Sequence, residues 1–297
     1  MRLLSSRVMA GPSCELYRDG TTVIGTWFCR PADAEFPGGW MENPTIVFPR
    51  TCVEITQAGE APIVTDPNVT VLYRGCQEYS RNLVDPVGDR CDWFEVDPQL
   101  IHEVAREIDP GVADDGGSPI RHTHAPASSE TYMLQRMLVR HVASEVSPDR
   151  LLIQETLMRV VESVLRAAYG SAGEKVSTPK RGHRELVEDA KAYIGLNYAE
   201  TLTLVDVGQA VGASSFHLAR LFRSLTGRTV HRHLTNIRLR AALDQLENGA
   251  ANITEIALGV GFASHSHLTK LFHERFGLTP STFRAESSAY LREIVLA

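Results

Sequence analysis

The feature that most constrains this 297-residue chain is a motif that occurs twice in its last third. The first copy, His217–Arg223, has the sequence HLARLFR and is followed by Gly227, and the second, His267–His273, has the sequence HLTKLFH and is followed by Gly277. The offset is 50 residues, from 217 to 267, whereas the glycines at 212 and 261 repeat at 49. The second unit therefore has one more residue than the first between its turn glycine and its motif. The chain thus contains two similar supersecondary units.

Each copy lies in a predicted pair of short helices joined by a glycine turn. Thr203 with Asp206, and Asn252 with Glu255, have the three-residue spacing of a capping box at a helix start. Each unit then has a turn glycine and a second capping serine: Gly212 and Ser214, Gly261 and Ser264. This order is typical of helix-turn-helix units, in which the first helix supports the second and the second enters the major groove. We call the second helix of each unit its reading helix.

A single long helix is predicted between the two units, over His231–Asn248, and we call it the linker helix. The run contains no proline or glycine, and its apolar residues recur at helical spacing: Leu234, Ile237, Ala241, Leu243 and Leu246. About 18 residues make a helix of about 27 Å. Two reading helices held this far apart could enter successive major grooves, which repeat at about 34 Å.

These residues resemble the DNA-binding domain of the AraC/XylS family of transcription regulators. The resemblance covers residues 201–284 and follows the family signature in order through Gly261–Phe262, His267–Phe272, Phe276–Pro280 and Phe283–Arg284. One departure is Gly227–Val230, where the family commonly has a proline after the glycine, and this weakens a helix start. The resemblance implies a double-stranded promoter as partner, contact with RNA polymerase, a homodimer, and activation as the commoner outcome.

The repeat also separates an inward face from an outward face on each reading helix. Arg220 and Lys270 precede the inward Leu-Phe pairs and are the strongest candidates for base contact, because arginine can donate two hydrogen bonds to guanine and lysine can donate to the same edge. Phosphate contact or plain solubility is their alternative role. For Phe216, contact with a thymine methyl and packing on the linker helix both remain open. The other predicted DNA-binding residues are Ser215, Ala219, Arg223, His265, Ser266 and His267.

Four arginines of the module, one of them already among the predicted DNA-binding residues, have a less specific predicted role. These are expected to meet phosphates or acidic neighbours: Arg223, Arg228, Arg238 and Arg240.

Charge is distributed unevenly along the chain. The whole chain has a formal net charge of -6, but residues 201–284 contain nine basic and five acidic residues, whereas residues 1–180 contain 17 and 25. Phosphate attraction requires positive charge where the reading helices are. No apolar run reaches the roughly 20 residues of a membrane span, and the N-terminus lacks a signal-peptide core, so we expect a cytoplasmic protein.

The first third is predicted to be a β-rich domain over 1–97. Short β-branched and aromatic runs are separated by Pro, Gly and Asp turns: 22–28, 45–48, 52–56, 63–64, 69–73 and 92–96. This half resembles the cupin-like sensor domain that often precedes an AraC-type module, on the strand rhythm and on Phe48–Arg50, Asp66–Asn68 and Gly88–Cys91. The resemblance implies a β-barrel that senses a small-molecule effector.

The periodicity becomes helical after residue 97. Helices are predicted over 98–108, 130–145 and 147–169, and Leu157, Val161, Val164 and Ala168 recur at spacings of 4, 3 and 4. That seam is either an intramolecular core face or the dimer interface that the resemblance implies for region 98–169. A small, polar linker is predicted over 170–182. Another helix over 183–198 then opens the DNA-binding domain, which we place at 183–290.

Five aromatic residues of the β-rich half are candidates for an effector pocket, and they are equally suitable core residues: Trp27, Trp40, Phe48, Tyr73 and Tyr79. No metal or cofactor site is predicted, because the first histidine of the chain is His102 and His122 with His124 has no evident third ligand. The five cysteines are odd in number, and a small buried role is their default. A redox switch through Cys76 and Cys91 remains an alternative.

The sequence therefore predicts an α+β protein, with an N-terminal barrel and a C-terminal all-α domain of two helix-turn-helix units joined by a linker helix. Its predicted function is sequence-specific, effector-responsive regulation of transcription, without enzymatic activity. The alternatives are a thiol-responsive regulator and a cupin-type enzyme with a DNA-binding tail.

Overall fold

The computed structural model describes residues 13–20, 22–30, 38–109, 118–145, 148–171, 181–248 and 251–285. The predicted linker at 170–182, the helix start at Ser147 and the domain end at 290 lie wholly or partly outside these residues. The protein is α+β, as predicted, with strands up to residue 95 and helices after it except for one late strand. The strands are β1 Ser13–Asp19, β2 Thr22–Cys29, β3 Gly39–Met41, β4 Pro44–Pro49, β5 Val53–Gln57, β6 Ile63–Thr65, β7 Val69–Arg74, β8 Gln77–Leu83, β9 Asp89–Glu95 and β10 His124–Pro126.

The described strands form two sheets rather than the predicted closed barrel. The first has the order β1-β2-β9-β4-β7-β10 and the second has the order β3-β8-β5-β6. Their strand pairs are antiparallel, and each pair of described strands lies within one sheet. The sheets instead face each other across a cavity lined from both sides. Strands β1, β3, β8 and β10 were not predicted, because their sequences lack a continuous β-branched run.

The helices follow the predicted segments closely. Helix α1 begins after Asp97, whose carboxylate accepts a 2.7 Å hydrogen bond from the Gln99 amide, and has a proline at its first position. Helix α2 is capped by Ser128, whose hydroxyl accepts from the Thr131 amide at 2.9 Å. The helices are α1 Pro98–Ile108, α2 Ser129–Ser144, α3 Arg150–Ser171, α4 Arg181–Leu196, α5 Leu204–Ala210, α6 Ser215–Thr226, α7 Val230–Asn248, α8 Ile253–Gly259 and α9 His265–Phe276.

The predicted seam of α3 belongs to the intramolecular core. Leu157, Val161, Val164 and Ala168 are all buried in one cluster with α1, α2 and the first sheet. Their side chains are therefore unavailable for contact with a second copy. The exposed apolar residues of α3 are Leu151 and Met158.

The C-terminal helices form two cores that share α7, the linker helix. The first core contains Val187 of α4, Val207 of α5 and Phe222 of α6 packed with Leu234 and Ile237 of α7. The second contains residues of α8 and α9 packed with the later part of α7: Leu239, Ala242, Leu243, Leu246, Ile256, Leu268 and Phe272. One continuous helix of 19 residues, about 28 Å long, thus supports both units.

None of the helices in the described part of the chain is both long enough and apolar enough to span a lipid bilayer.

Candidate nucleic-acid interface

Each helix-turn-helix unit is built by short-range contacts that the repeat encodes. Thr203 and Asp206 form a reciprocal capping box at the start of α5, and Asn252 and Glu255 form the same box at the start of α8. The turn glycine of the second unit, Gly261, has a φ of 89°, and a Cβ there would lie 2.8 Å from the Ala199 carbonyl oxygen. A side chain at this position would be strained both by the positive φ and by the close carbonyl oxygen, so the turn requires glycine.

The first reading helix, α6, exposes the face that the repeat predicts. The hydroxyl of Ser214 accepts a 3.3 Å hydrogen bond from the His217 amide, and Leu218 and Phe222 are fully buried. Phe216 is 79% exposed and does not pack on the linker helix. Arg220 and Arg223 are exposed, and neither forms an ion pair with any residue that the structure describes. The predicted residues Ser215 and Ala219 lie half-buried at the edge of this face.

The second reading helix, α9, has the same construction with different outward chemistry. Leu268 and Phe272 are fully buried, and the ring of Phe272 lies 4.6 Å from that of Phe276. Its predicted DNA-binding residues are all exposed: His265, Ser266, His267 and Lys270. The Lys270 ammonium lies 4.0 Å from the Glu274 carboxylate, and because both side chains are exposed this contact is weak. Lys270 thus remains available to an external acceptor.

Three of the module's other arginines donate hydrogen bonds to backbone carbonyl oxygens. Arg240 is buried and donates to the backbone of the first domain at Pro67, Ala127 and Ser128. Arg228 donates to the Ala127 carbonyl at 3.1 Å. Arg238 donates to the carbonyls of Tyr198 and Glu200. All three guanidiniums therefore hold backbone oxygens. Arg240 is fully buried and cannot meet phosphate, whereas Arg228 and Arg238 are half-buried. Asp66 is an acidic neighbour that acts electrostatically on Arg228 and Arg240.

An ionic cluster that the sequence did not reveal lies between the linker helix and the first domain. Arg50 donates to Asp244 at 3.0 Å, and Arg136 contacts Asp92 and Glu247. Burial alone would lower the pKa of the Arg50 guanidinium, but Asp244 and Asp92 hold it above its usual value. For Glu247, burial raises the pKa and outweighs the opposing charge of Arg136. Nothing local marks this site, because Arg50 directly follows β4 and the other members come from β9, α2 and α7.

A second contact between the first domain and α7 is built around Asp66. Its carboxylate lies 2.9 Å from the Nε2 atom of His233, and its other oxygen accepts from the Asn68 amide at 2.6 Å. Burial would raise the pKa of Asp66, but His233 and Lys191 hold it below its usual range. Together with the ionic cluster, this contact attaches both ends of the linker helix to the β-rich domain.

The predicted effector residues are brought together with one exception. Trp27, Trp40, Tyr73 and Tyr79 line a cavity of about 260 Å³ between the two sheets. Phe48 is not part of this lining: it is fully buried on the opposite face of β4, with its ring 5.6 Å from that of Phe94. Strand alternation explains the difference, because successive side chains of a strand point to opposite faces.

The cavity also contains residues that were not predicted. Trp93, Arg81, Asp89, Cys91 and Glu95 line it. The Arg81 guanidinium lies 2.6 Å from the Asp89 carboxylate and 4.4 Å from the Trp27 ring centre. Burial raises the pKa of Asp89 although Arg81 opposes the shift. The period-2 pattern of β9 could have indicated Trp93 once the strand face was known.

The candidate metal and thiol sites are poorly supported by the geometry. Among the described residues, no three His, Cys, Asp or Glu side chains are grouped to hold a metal ion. Burial raises the pKa of the Cys91 thiol, and Asp89 and Asp92 raise it further, which disfavours the reactive thiolate. Cys76 is exposed.

The fold and the interface define a protein with two helix-turn-helix units on a shared helix, attached to a two-sheet domain. A family profile described as "Helix-turn-helix domain" matches residues 207–286. The chain is 32% identical over 102 residues to the transposon Tn10 TetD protein of Escherichia coli, covering 34% of this chain and 74% of TetD. It is 28% identical over 102 residues to the regulatory protein SoxS of Escherichia coli K12, covering 34% of this chain and 95% of SoxS.

A further relative adds an enzyme to the comparison. Over 127 residues the chain is 31% identical to the bifunctional transcriptional activator/DNA repair enzyme AdaA of Bacillus subtilis, covering 42% of this chain. The chain spans 60% of AdaA, and 59% and 33% of two further curated regulators. The matches and the twin units together show that the chain belongs to the AraC/XylS family of transcription regulators.

Proposed function

We propose that the chain is a sequence-specific DNA-binding regulator of transcription. The observation that carries the proposal is the pair of exposed reading-helix faces, with Arg220 on α6 and Lys270 on α9, held by one linker helix. At about 28 Å, that helix is close to the 34 Å repeat of the major groove. The two reading helices would then contact two short elements on one side of the duplex.

We propose residue roles from the exposed chemistry. Arg220 and Lys270 would read bases, and Phe216 would contact a thymine methyl. Arg223 would meet phosphate. The remaining predicted residues would contact the backbone or the groove edge: Ser215, Ala219, His265, Ser266 and His267.

We extend the proposal to regulation by a small molecule bound in the cavity of the two-sheet domain, which would act as a cupin-like sensor. The further partners are RNA polymerase and a second copy of the chain, and the proposed outcome is activation in the cytoplasm. Among the described residues of the helical region 98–169, Leu151 and Met158 of α3 are the exposed large apolar residues open to a homodimer contact. We assign no catalytic role to this chain, because the DNA repair activity in AdaA's name is a property of AdaA.

The test is selection of preferred sequences from a random pool of duplex DNA by the purified chain. The expected result is a site with two short elements about one helical turn apart, near 10 base pairs. Repeating the selection with a metabolite extract should change the affinity for that site if the cavity binds an effector. Absence of any enriched sequence in both arms would refute the DNA-reading proposal.

A further inference from the structure

The cavity between the two sheets is lined by every tryptophan in the chain. The sequence has three tryptophans, and Trp27, Trp40 and Trp93 all lie in its wall. Tyr73 and Tyr79 complete the aromatic lining, with ring centres 5.0 Å apart. Aromatic faces in a small cavity favour flat ring systems, because stacking contributes beyond the area that it buries. About 260 Å³ is small for a ligand pocket and limits the occupant to a compact molecule.

The charges of the lining favour a cation over an anion. Arg81 is already paired with Asp89 at 2.6 Å, so it does not offer a free positive charge to a carboxylate. The same guanidinium lies 4.4 Å from the centre of the Trp27 ring and 5.5 Å from that of Tyr79. The wall thus already stabilises a cation on its aromatic faces. Glu95 adds a second carboxylate, so the ionisable lining carries one net negative charge when its acids are ionised.

We propose that this cavity binds a compact, planar aromatic molecule that carries a positive charge. The inference rests on the proposed function, in which this molecule is the effector. The rim residue Trp40 is 63% exposed on the short strand β3, and its ring would cover the bound molecule from the open side. The half-buried rings of Trp27 and Trp93 would form the opposite wall.

The test is calorimetric titration of the full chain with three probes. These are 2-naphthylmethylammonium, 2-naphthoate, which has the same rings and the opposite charge, and cyclohexylmethylammonium, which has the charge without the aromatic plane. The expected result is saturable binding of the first probe alone, weakened about tenfold in Trp40→Ala because a desolvated cation loses an aromatic face. Leu258→Ala removes a side chain of similar exposure, 58%, on α8 and should leave binding unchanged.

Other outcomes overturn the inference in distinct ways. Binding of 2-naphthoate would show that Arg81 selects an anion, and equal binding of cyclohexylmethylammonium would show that planarity is not selected. Failure of every probe would reject this ligand class. None of these results alters the DNA selection, which is measured without a probe, so failure here and failure of the proposed function are distinguishable.

A second inference rests on the two faces of β4 and β9. On β9, Cys91 and Trp93 line the cavity, whereas Asp92 between them faces away and pairs with Arg136. On β4, Val47 lines the cavity, and Arg50 directly after the strand pairs with Asp244 of the linker helix. The wall of the cavity is therefore also the surface on which the linker helix is docked.

We further infer that occupancy of the cavity is transmitted to the linker helix through β4 and β9. Strands are stiff along their length, and the buried ionic cluster has discrete pairings rather than a continuum of positions. A displacement of the wall by a ligand therefore alters the Arg50–Asp244 and Arg136–Glu247 contacts together. Because α7 belongs to the cores of both helix-turn-helix units, the change reaches both reading helices.

The coupling must act in both directions, and this permits a test without ligand or DNA. Asp244→Asn breaks the cluster from the side of the linker helix, at a residue that does not line the cavity. Trp93 of β9 and Trp27 of the neighbouring β2 lie in that wall, whereas the exposed Trp40 lies on β3 of the other sheet. Acrylamide quenching of the intrinsic fluorescence therefore reports on the wall when the compared chains also carry Trp40→Phe. The expected result is a clear increase in the quenching constant at unchanged circular dichroism.

The control is Glu162→Gln, which removes an exposed carboxylate paired with Arg166 on α3. It should leave quenching at the wild-type value. If Asp244→Asn also left quenching unchanged, the wall would not be coupled to the linker helix and the inference would be wrong. Increased quenching in both variants would indicate general loosening and would overturn it as well.

Discussion

At the scale of single residues, Arg240 shows how the linker helix is attached. Its guanidinium is fully enclosed, donates to the backbone of Pro67, Ala127 and Ser128, and lies 4.6 Å from the centre of the Tyr132 ring. Burial lowers its pKa to about 10, so it stays charged near neutral pH. The planar, multi-donor shape of arginine is what this position uses.

Replacement of Arg240 by lysine should therefore destabilise the protein although the charge is kept. We expect Arg240→Lys to lower the free energy of unfolding by about 1–3 kcal/mol, because one ammonium cannot reach all the carbonyls and leaves buried acceptors unpaired. Chemical denaturation measures the change. Arg232→Lys, an exposed position on the same helix, should change it by less than about 0.5 kcal/mol. Equal effects in the two variants would contradict the role assigned to Arg240.

The exposed residues Arg220 and Lys270 act on a different quantity, the choice of DNA sequence. We expect Arg220→Ala and Lys270→Ala each to relax discrimination at one base position by about 1–3 kcal/mol. Affinities for the selected site and for single-position variants of it measure this. Arg166→Ala on α3 is the matched control and should leave discrimination unchanged. Uniform weakening on every sequence would mean that the two residues contact phosphate instead.

At the scale of elements, helix α4 approaches the β-rich domain so closely that it requires a glycine. A Cβ at Gly195 would lie 2.0 Å from the Cys52 sulfur and 3.4 Å from the Cys52 Cβ. Nearby, the Val64 amide donates to Glu188 of α4 at 2.6 Å. The contact between these elements is thus made at van der Waals distance and leaves no room for an added methyl group.

Gly195→Ala should push α4 away from the β-rich domain and cost about 1–3 kcal/mol of unfolding free energy. Cys52→Ala in the same chain removes the sulfur, and the double variant should recover most of that loss, because the two Cβ atoms are then at an acceptable distance. Gly182→Ala, on the same helix with open space around it, should be neutral or stabilising. Thermal unfolding of the four variants measures these changes in stability. If the double variant were as unstable as Gly195→Ala, a direct clash with Cys52 would be contradicted.

The elements also show which information the sequence carried. Helices α5, α6, α8 and α9 were predictable because their caps, turn glycines and buried positions lie within a few residues of one another. The effector residues were predictable as aromatic side chains but not as a complete set. On β4, Val47 faces the cavity, whereas the adjacent Phe48 faces the opposite side and lies in the core. Strand pairing within each sheet and the packing of the two sheets decide which side faces the cavity, and no local pattern encodes either.

At the scale of the whole molecule, the contacts between the two halves were the least predictable. Arg50 and Asp244 are 194 residues apart in sequence. Three arginines of the module, Arg228, Arg238 and Arg240, donate to backbone carbonyls that no local pattern indicates. Charge counts along the chain indicate where positive residues are, but not which of them folding buries. The same contacts give the molecule its proposed regulation, because the domain with the cavity holds the helix that spaces the reading helices.

The contact between Asp66 and His233 makes this docking sensitive to acid. The folded-state pKa of Asp66 lies below its ordinary value of 3.8, because His233 and Lys191 favour the carboxylate more than burial disfavours it. A group with a lowered folded pKa contributes stability that is complete above its unfolded pKa and is lost as pH falls below it. We therefore expect Asp66→Asn to destabilise the protein by about 3–5 kcal/mol at neutral pH, because His233 loses a buried partner. The difference from wild type should shrink as pH falls below about 4.

Urea denaturation of wild type and Asp66→Asn at a series of pH values from neutral to about 3 measures this difference directly. Subtracting one plot of stability against pH from the other removes the contribution of the other carboxylates that titrate in the same range, since both chains share them. Glu162→Gln, which removes an exposed carboxylate, should give a small difference at every pH. A difference for Asp66→Asn that stayed constant down to pH 3 would mean that the carboxylate is not held ionised by His233.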